Sequence, residues 1–162
     1  MSIVQDEESD VTVSWDPLNN WVCAEWRNIP SRETVVKGCT EILDLMISKR
    51  ASAVFNDNRK ITGTWVRASN WVADDWFPRM IACGLKKFAW IESPVSTLSV
   101  ISAKKSARRN GTEIIRLFKD APEAERWLAA EVRMPAHRPP CLPCLRQGFP
   151  CALRSSRGSR LL

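Results

Sequence analysis

The change of hydrophobic period along this chain is the feature that most constrains its fold. Residues 11–15 alternate apolar and polar side chains, residues 16–20 are rich in turn formers, and residues 21–26 resemble a second strand. Beyond this hairpin, segments of helical period alternate with short apolar runs up to residue 133. This order predicts an α/β fold with a mixed, mostly parallel sheet of about five strands covered by helices.

The predicted helices carry recognisable end signals. Ser31 is a suitable N-cap for a first helix of about 17 residues. Pro78 lies within a second helical pattern over residues 71–83, and predicts a kink or a helix start near Phe77. Residues 120–123 form a capping box that opens the last helix.

Short apolar runs at 52–55, 87–91 and 113–118 predict buried strands. The first run is followed by Asn56-Asp57-Asn58, which we interpret as a loop at the carboxyl end of that strand. Ligands and partners of parallel α/β sheets bind at this edge, although Asn and Asp are also ordinary turn formers there.

Composition predicts three parts: an acidic segment at 1–10 that we expect to be disordered, a folded domain at 11–133 and a basic tail at 134–162. The tail has five Arg and no acidic residue, and thus carries five of the six net positive charges. The charge therefore gives no reason to expect nucleic-acid binding by the folded domain. A tail rich in Arg, Pro and Cys is typical of a disordered segment or of a frameshifted extension.

The tail contains the residues that most resemble a metal site, in the order His137, Cys141, Cys144 and Cys151. A Cys-x-x-Cys pair suits tetrahedral zinc, but one such pair with loosely spaced partners is a weak signal. We therefore predict no metal and leave zinc binding by the tail open.

Cys23, Cys39 and Cys83 are isolated within apolar patterns, where cysteine usually behaves as a small buried hydrophobe. We interpret the domain as reduced.

Residues 1–10 lack the features of a secretory signal, and no apolar run approaches the ~18 residues that span a bilayer. These observations predict a cytoplasmic protein with no transmembrane segment.

The folded part contains no His and no glycine-rich phosphate loop, so the commonest general base is missing. Asp74 and Asp75 are adjacent on a helical pattern and point about 100° apart, which favours a solvated face over a metal or acid/base pair. We predict a protein that is not an enzyme and has no cofactor.

The chain has eight Trp and no Tyr. Most Trp fall at the apolar positions of their predicted strands and helices, which predicts that they lie in the core. Trp65 and Trp71 flank the segment after the Asn-Asp-Asn triplet, and an alternative is that they line a groove for a peptide or an apolar ligand.

The stretches 21–58, 71–80 and 84–90 carry spaced aromatic residues and the Asn-Asp-Asn triplet. In these features the chain resembles small bacterial STAS-like (SpoIIAA-like) domain proteins, of a type common in Bacteroidetes. The resemblance implies a STAS-like fold and a relationship to anti-sigma-factor antagonists and to lipid-binding CRAL-TRIO-type domains. Antagonists of that kind are switched by phosphorylation of a Ser or Thr after the central strand. Here the nearest hydroxyls, those of Thr62 and Thr64, come several residues later.

Two hypotheses of function follow. The first is a non-catalytic regulatory or interaction module that binds an unknown protein partner through residues 56–65 and the start of the next helix. The second is a small-molecule or lipid binding domain with a pocket lined by Trp65, Trp71 and Trp76. The predicted binding residues are Asn56, Asp57, Asn58, Thr62, Thr64, Trp65 and Trp71.

Overall fold

The computed structural model describes residues 10–130. Residues 1–9 of the predicted N-terminal segment, the boundary at residue 133, the tail and its four zinc-ligand candidates lie outside these residues. The strands are β1 (Val11–Asp16), β2 (Trp21–Asn28), β3 (Ala53–Ile61), β4 (Lys87–Ile91) and β5 (Ile115–Phe118). The helices are α1 (Arg32–Lys49), α2 (Val66–Trp71), α3 (Phe77–Ala82), α4 (Thr97–Asn110) and α5 (Ala121–Ala129).

The sheet confirms the predicted α/β architecture. Its five strands follow the order β1-β2-β3-β4-β5, with β1 antiparallel to β2 and every later pair parallel. The β2–β3 pairing shifts register between Glu25 and Arg27, where β3 contributes an extra residue.

Helix α1 forms where the apolar stripe and its N-cap predict it. The Ser31 hydroxyl oxygen accepts the Thr34 backbone N–H at 3.1 Å. The helix ends at Arg50, whose φ of 53° lies in the left-handed region. Its buried stripe packs on the sheet through Val35, Gly38, Cys39, Ile42, Leu43 and Met46.

The second helical segment is divided where Pro78 predicts a change. Helix α2 continues through a π-helical turn (Val72–Trp76) into α3, which begins at Phe77 with Pro78 in its first turn. Proline has no backbone N–H to bond the carbonyl of Asp74, and a wider turn at this point accommodates the missing bond.

The core lies on both faces of the sheet. The larger part contains buried residues of α1, the π-helical turn, α3 and α4. There Phe77 meets Phe88 edge to face, with ring centroids 5.0 Å apart. The smaller part lies on the opposite face under α5, where Leu128 is fully buried.

The cysteines agree with expectation in part. Cys39 is a buried free thiol and Cys23 a half-buried one. Cys83 is disulfide-bonded, so the interpretation of a fully reduced domain was wrong for this residue. No helix in the described part of the chain is long and apolar enough to cross a membrane.

Candidate functional site

The Asn-Asp-Asn triplet does not form the predicted loop. Asn56, Asp57 and Asn58 lie inside strand β3, and all three are buried. The prediction failed because polar residues that read locally as turn formers are satisfied here by side-chain partners within the fold. Strand alternation places Asn56 and Asn58 on the face that carries the larger core, while Asp57 points to the other face.

A directional chain of hydrogen bonds runs through the two asparagines. The indole Nε1 of Trp26 donates to Asn56 Oδ1 at 2.8 Å, and Asn56 Nδ2 donates to Asn58 Oδ1 at 3.0 Å. An indole N–H can only donate, which fixes the orientation of the Asn56 amide and, through it, that of Asn58. The Asn58 Nδ2 group is therefore a donor at the end of this chain.

Beside these amides lies a small cavity of about 30 Å³. Four indole rings and both asparagines contribute to its wall. Its lining residues are Trp26, Pro30, Val35, Cys39, Asn56, Asn58, Ile61, Trp65, Val72, Trp76, Phe88 and Trp90. The volume exceeds the ~10–15 Å³ that one water molecule needs, so the cavity admits a small group and no larger body.

Trp90 lines the cavity and carries an unsatisfied donor. Its side chain is only 5% exposed, and its Nε1 has no hydrogen-bond partner among the described residues. The ring stacks on Trp65 with centroids 5.4 Å apart. A buried N–H without an acceptor is uncommon in folded proteins and calls for an explanation.

Trp65, by contrast, is fully satisfied. Its Nε1 donates to Ser99 Oγ at 2.8 Å, which joins the segment after β3 to helix α4. Two more serines reinforce this connection, because Ser93 Oγ donates to the Ile61 carbonyl at 2.6 Å and Ser96 Oγ donates to the Gly63 carbonyl. The cavity wall formed by Trp65 is therefore held in a fixed position.

An open groove of about 420 Å³ adjoins the cavity. Pro30 and Trp65 line both spaces. The groove also contains the N-terminal residues of α1 and α2, among them Arg32 and Arg67, and it gives the cavity a neighbouring surface for a larger ligand.

Asp57 lies apart from this arrangement. Its carboxylate binds the guanidinium of Arg59, with Arg59 Nη2 2.6 Å from Asp57 Oδ2. This bond raises the pKa of Arg59 above its ordinary value. Asp57 is thus committed to an ion pair on the face opposite the cavity.

The other predicted residues divide between the two spaces and the surface. Thr64 lines the groove, and its hydroxyl oxygen accepts the Val66 backbone N–H at 3.2 Å. Thr62 is exposed and lines neither space. Trp71 is half-buried against the core, and of the predicted trio Trp65, Trp71 and Trp76 only Trp65 and Trp76 line this cavity.

The adjacent aspartates confirm the prediction of a solvated face. Asp74 pairs with Arg109 at 2.6 Å, and Asp75 pairs with Arg79 at 3.4 Å. Both carboxylates are exposed. In the part of the chain described by the structure, no group of three or more His, Cys, Asp or Glu side chains is placed to hold a metal ion.

Cys39 lines the same cavity as the two asparagines. Burial raises the pKa of its thiol far above the ordinary value of 9.0. The thiolate is the nucleophilic form, so this group is an inert part of the cavity wall.

Sequence reasoning missed Trp26 and Trp90 as members of the site. Both were predicted to be core residues of a strand. The alternation of apolar and polar residues indicates which side chains are buried, but not whether a buried indole N–H has an acceptor. The hydrogen bond of Trp26 spans 30 positions of sequence, so no local pattern contains it.

In comparisons with known proteins, no family profile matches this chain and no curated protein does.

Proposed function

We propose that this protein is a non-catalytic binding domain for a small ligand that places a hydrogen-bond acceptor against the indole N–H of Trp90. The observation that carries the proposal is the buried, unpartnered Nε1 of Trp90, a residue whose side chain lines the cavity. Leaving such a donor unpaired costs about 1–3 kcal/mol, and an acceptor supplied by a ligand recovers that cost.

The hydrogen-bonding groups in the cavity wall define which chemical group of a ligand can bind there. Asn56 uses its oxygen and one of its two N–H donors within the hydrogen-bond chain, so Trp90 Nε1 and the remaining amide N–H groups of Asn56 and Asn58 are the donors left for an occupant. Among residues 10–130, no Lys, Arg or His lines the cavity. A carboxylate would lose its hydration there without a countercharge, whereas a neutral carbonyl would not meet that penalty.

The size of the cavity limits which part of the ligand it can hold. A volume of about 30 Å³ holds a carbonyl group or a similar small end, and not a whole metabolite. The remainder of the ligand would lie in the adjoining groove, reached past Pro30 and Trp65. The proposal therefore concerns a molecule with a neutral acceptor at one end.

Native mass spectrometry of the full chain purified from its host tests this function. A co-purifying mass is expected with the unaltered protein and with Trp71→Phe, which changes an indole outside the cavity. Trp90→Phe removes the donor and is expected to lose that mass, because the ring is kept and the N–H is not. A bound mass that survives Trp90→Phe unchanged, or a crystal structure with only an ordered water on Nε1, would contradict the proposal.

A second candidate is the interaction module. It is favoured by two exposed aliphatic side chains, Ile29 and Val66, which line the groove together with Trp65. A protein partner would cover them, since exposed apolar residues at a concave surface often mark an interface. Pull-down with Ile29→Glu and Val66→Glu tests it: unchanged capture of a partner would exclude this surface.

We also propose that the protein is related to STAS-like proteins and that it is cytoplasmic. The mixed five-stranded sheet with helices on both faces is compatible with that fold class. A regulatory role of the kind the resemblance implies would need a partner, and the groove at Thr64 is the surface we propose for it.

A further inference from the structure

The outward surface of helix α4 carries an apolar strip that the proposed ligand site does not use. Val95, Leu98 and Ile101 are 68%, 58% and 55% exposed and follow one another at intervals of three residues. Leu98 and Ile101 lie on one line of α4 because they are three residues apart, and Val95 directly precedes the N-cap Ser96. Large aliphatic side chains aligned in this way expose a continuous apolar surface.

Basic residues continue the same line toward the C-terminus of α4. Lys105 and Arg108 follow Ile101 at spacings of four and three, and both are exposed. Lys105 Nζ contacts only the neutral Asn70 Oδ1, at 3.2 Å, and Arg108 has no ion pair within residues 10–130. The four charged residues of this helix are all basic.

Two acidic side chains beside α4, those of Glu92 and Asp74, are paired with its other two basic residues. Glu92 lies 3.8 Å from Lys104, and Asp74 lies 2.6 Å from Arg109. These two pairs flank the line of Leu98, Ile101, Lys105 and Arg108, which leaves the positive charge of Lys105 and Arg108 uncompensated along its centre.

We propose that the outer face of α4 is a docking surface for an anionic lipid membrane. The aliphatic side chains would enter the interface between headgroups and acyl chains, while Lys105 and Arg108 would contact the anionic headgroups. Membrane binding by a protein surface increases with the apolar area that it buries and with its attraction to anionic lipids, and this face of α4 offers both contributions.

The side chains favour a membrane over an acidic protein. Protein interfaces are usually anchored by Trp, Tyr or Arg in well-packed pockets. The strip has only aliphatic anchors, on the outward face of a helix. A lipid surface accepts such side chains without a matching pocket.

Vesicle co-sedimentation of the full chain tests the proposal. The probes are vesicles of phosphatidylcholine alone and of phosphatidylcholine mixed with phosphatidylserine. The protein is expected to bind the mixed vesicles, and the variant Leu98→Gln/Ile101→Gln is expected to bind them on the order of tenfold more weakly. Leu18→Gln is the matched control, because Leu18 is 94% exposed at the tip of the β1–β2 hairpin, away from α4.

A second variant tests the charge. Lys105→Gln/Arg108→Gln is expected to weaken binding to the mixed vesicles roughly tenfold or more and to reduce its salt dependence. The basic tail is the same in every variant, so it cannot produce these differences. Equal binding by all variants would overturn the proposal, as would binding to poly-glutamate together with no binding to either vesicle, which would indicate an acidic protein partner instead.

Discussion

Trp26 and Asn56 are joined by a buried hydrogen bond of 2.8 Å from the indole Nε1 to the amide Oδ1, across 30 positions of sequence. The bond connects neighbouring strands β2 and β3 and orients the amide that in turn orients Asn58. The position of the donors in the cavity therefore depends on this pair.

Replacing Asn56 with Leu is expected to lower the free energy of unfolding by about 2–4 kcal/mol. The change leaves the Trp26 indole and the Asn58 amide without partners, and each unsatisfied buried group costs about 1–3 kcal/mol. Urea denaturation followed by fluorescence measures the loss. The exposed variant Asn70→Leu should change stability by no more than about 0.5 kcal/mol, and a similar loss in both variants would contradict the role given to Asn56.

Ser99→Ala is expected to destabilise the protein by about 1–3 kcal/mol, because it removes the acceptor of the buried Trp65 N–H. Ser48→Ala serves as the control, since Ser48 is exposed and its hydroxyl bonds only a carbonyl of its own helix. A double-mutant cycle with Trp65→Phe should give a coupling energy near 1 kcal/mol. Additive effects of the two changes would show that the bond contributes nothing.

Gly38→Ala is expected to destabilise the protein by about 1–3 kcal/mol, although Ala is the better helix former. A Cβ at this position would lie 2.7 Å from Cη2 of the Trp26 ring and 3.0 Å from a methyl of Val11. Thermal unfolding measures the effect, and Lys37→Ala on the exposed side of α1 is the control. Unchanged or increased stability of Gly38→Ala would mean that the Trp26 ring moves freely.

Glu25 gives a pH dependence of known sign. Hydrogen bonding to Lys60, with help from Arg27, lowers the pKa of Glu25 below its ordinary value of 4.5. A carboxyl with a lowered folded-state pKa stabilises the fold above its unfolded pKa and loses that contribution as the pH falls through the folded pKa. Glu25→Gln should therefore cost up to about 1 kcal/mol at neutral pH and nothing in strong acid. Denaturation curves across the acid range check this, and a constant difference at every pH would contradict it.

The sequence was sufficient to predict the order of elements because each carries a local signal. Ser31 and Asp120 mark helix starts by side chains that cap within three residues. Strand β4 covers the predicted residues 87–91. Each of these signals depends only on residues close together in the sequence, so it can be recognised without knowledge of the fold.

The site could be predicted only in part, because its contacts connect distant segments. Asn56, Asn58 and Trp65 were predicted as binding residues and line one cavity. The assignment of Asn56-Asp57-Asn58 to a loop failed, since their partners Trp26 and Arg59 determine the burial of these polar groups. Whether an indole N–H is satisfied, as in Trp65, or open, as in Trp90, depends on tertiary packing alone.

The central claim is that the Trp90 indole N–H is open to a neutral acceptor. The direct measurement is the ¹H–¹⁵N spectrum of the tryptophan indoles during titration with acetone, and with acetate as the charged comparator. The Trp90 resonance is assigned by its absence in Trp90→Phe. We expect it to move downfield and saturate with acetone, while acetate leaves it in place and the Trp71 resonance responds to neither. A Trp90 resonance that does not move with acetone, or that moves only as Trp71 does, would contradict the account.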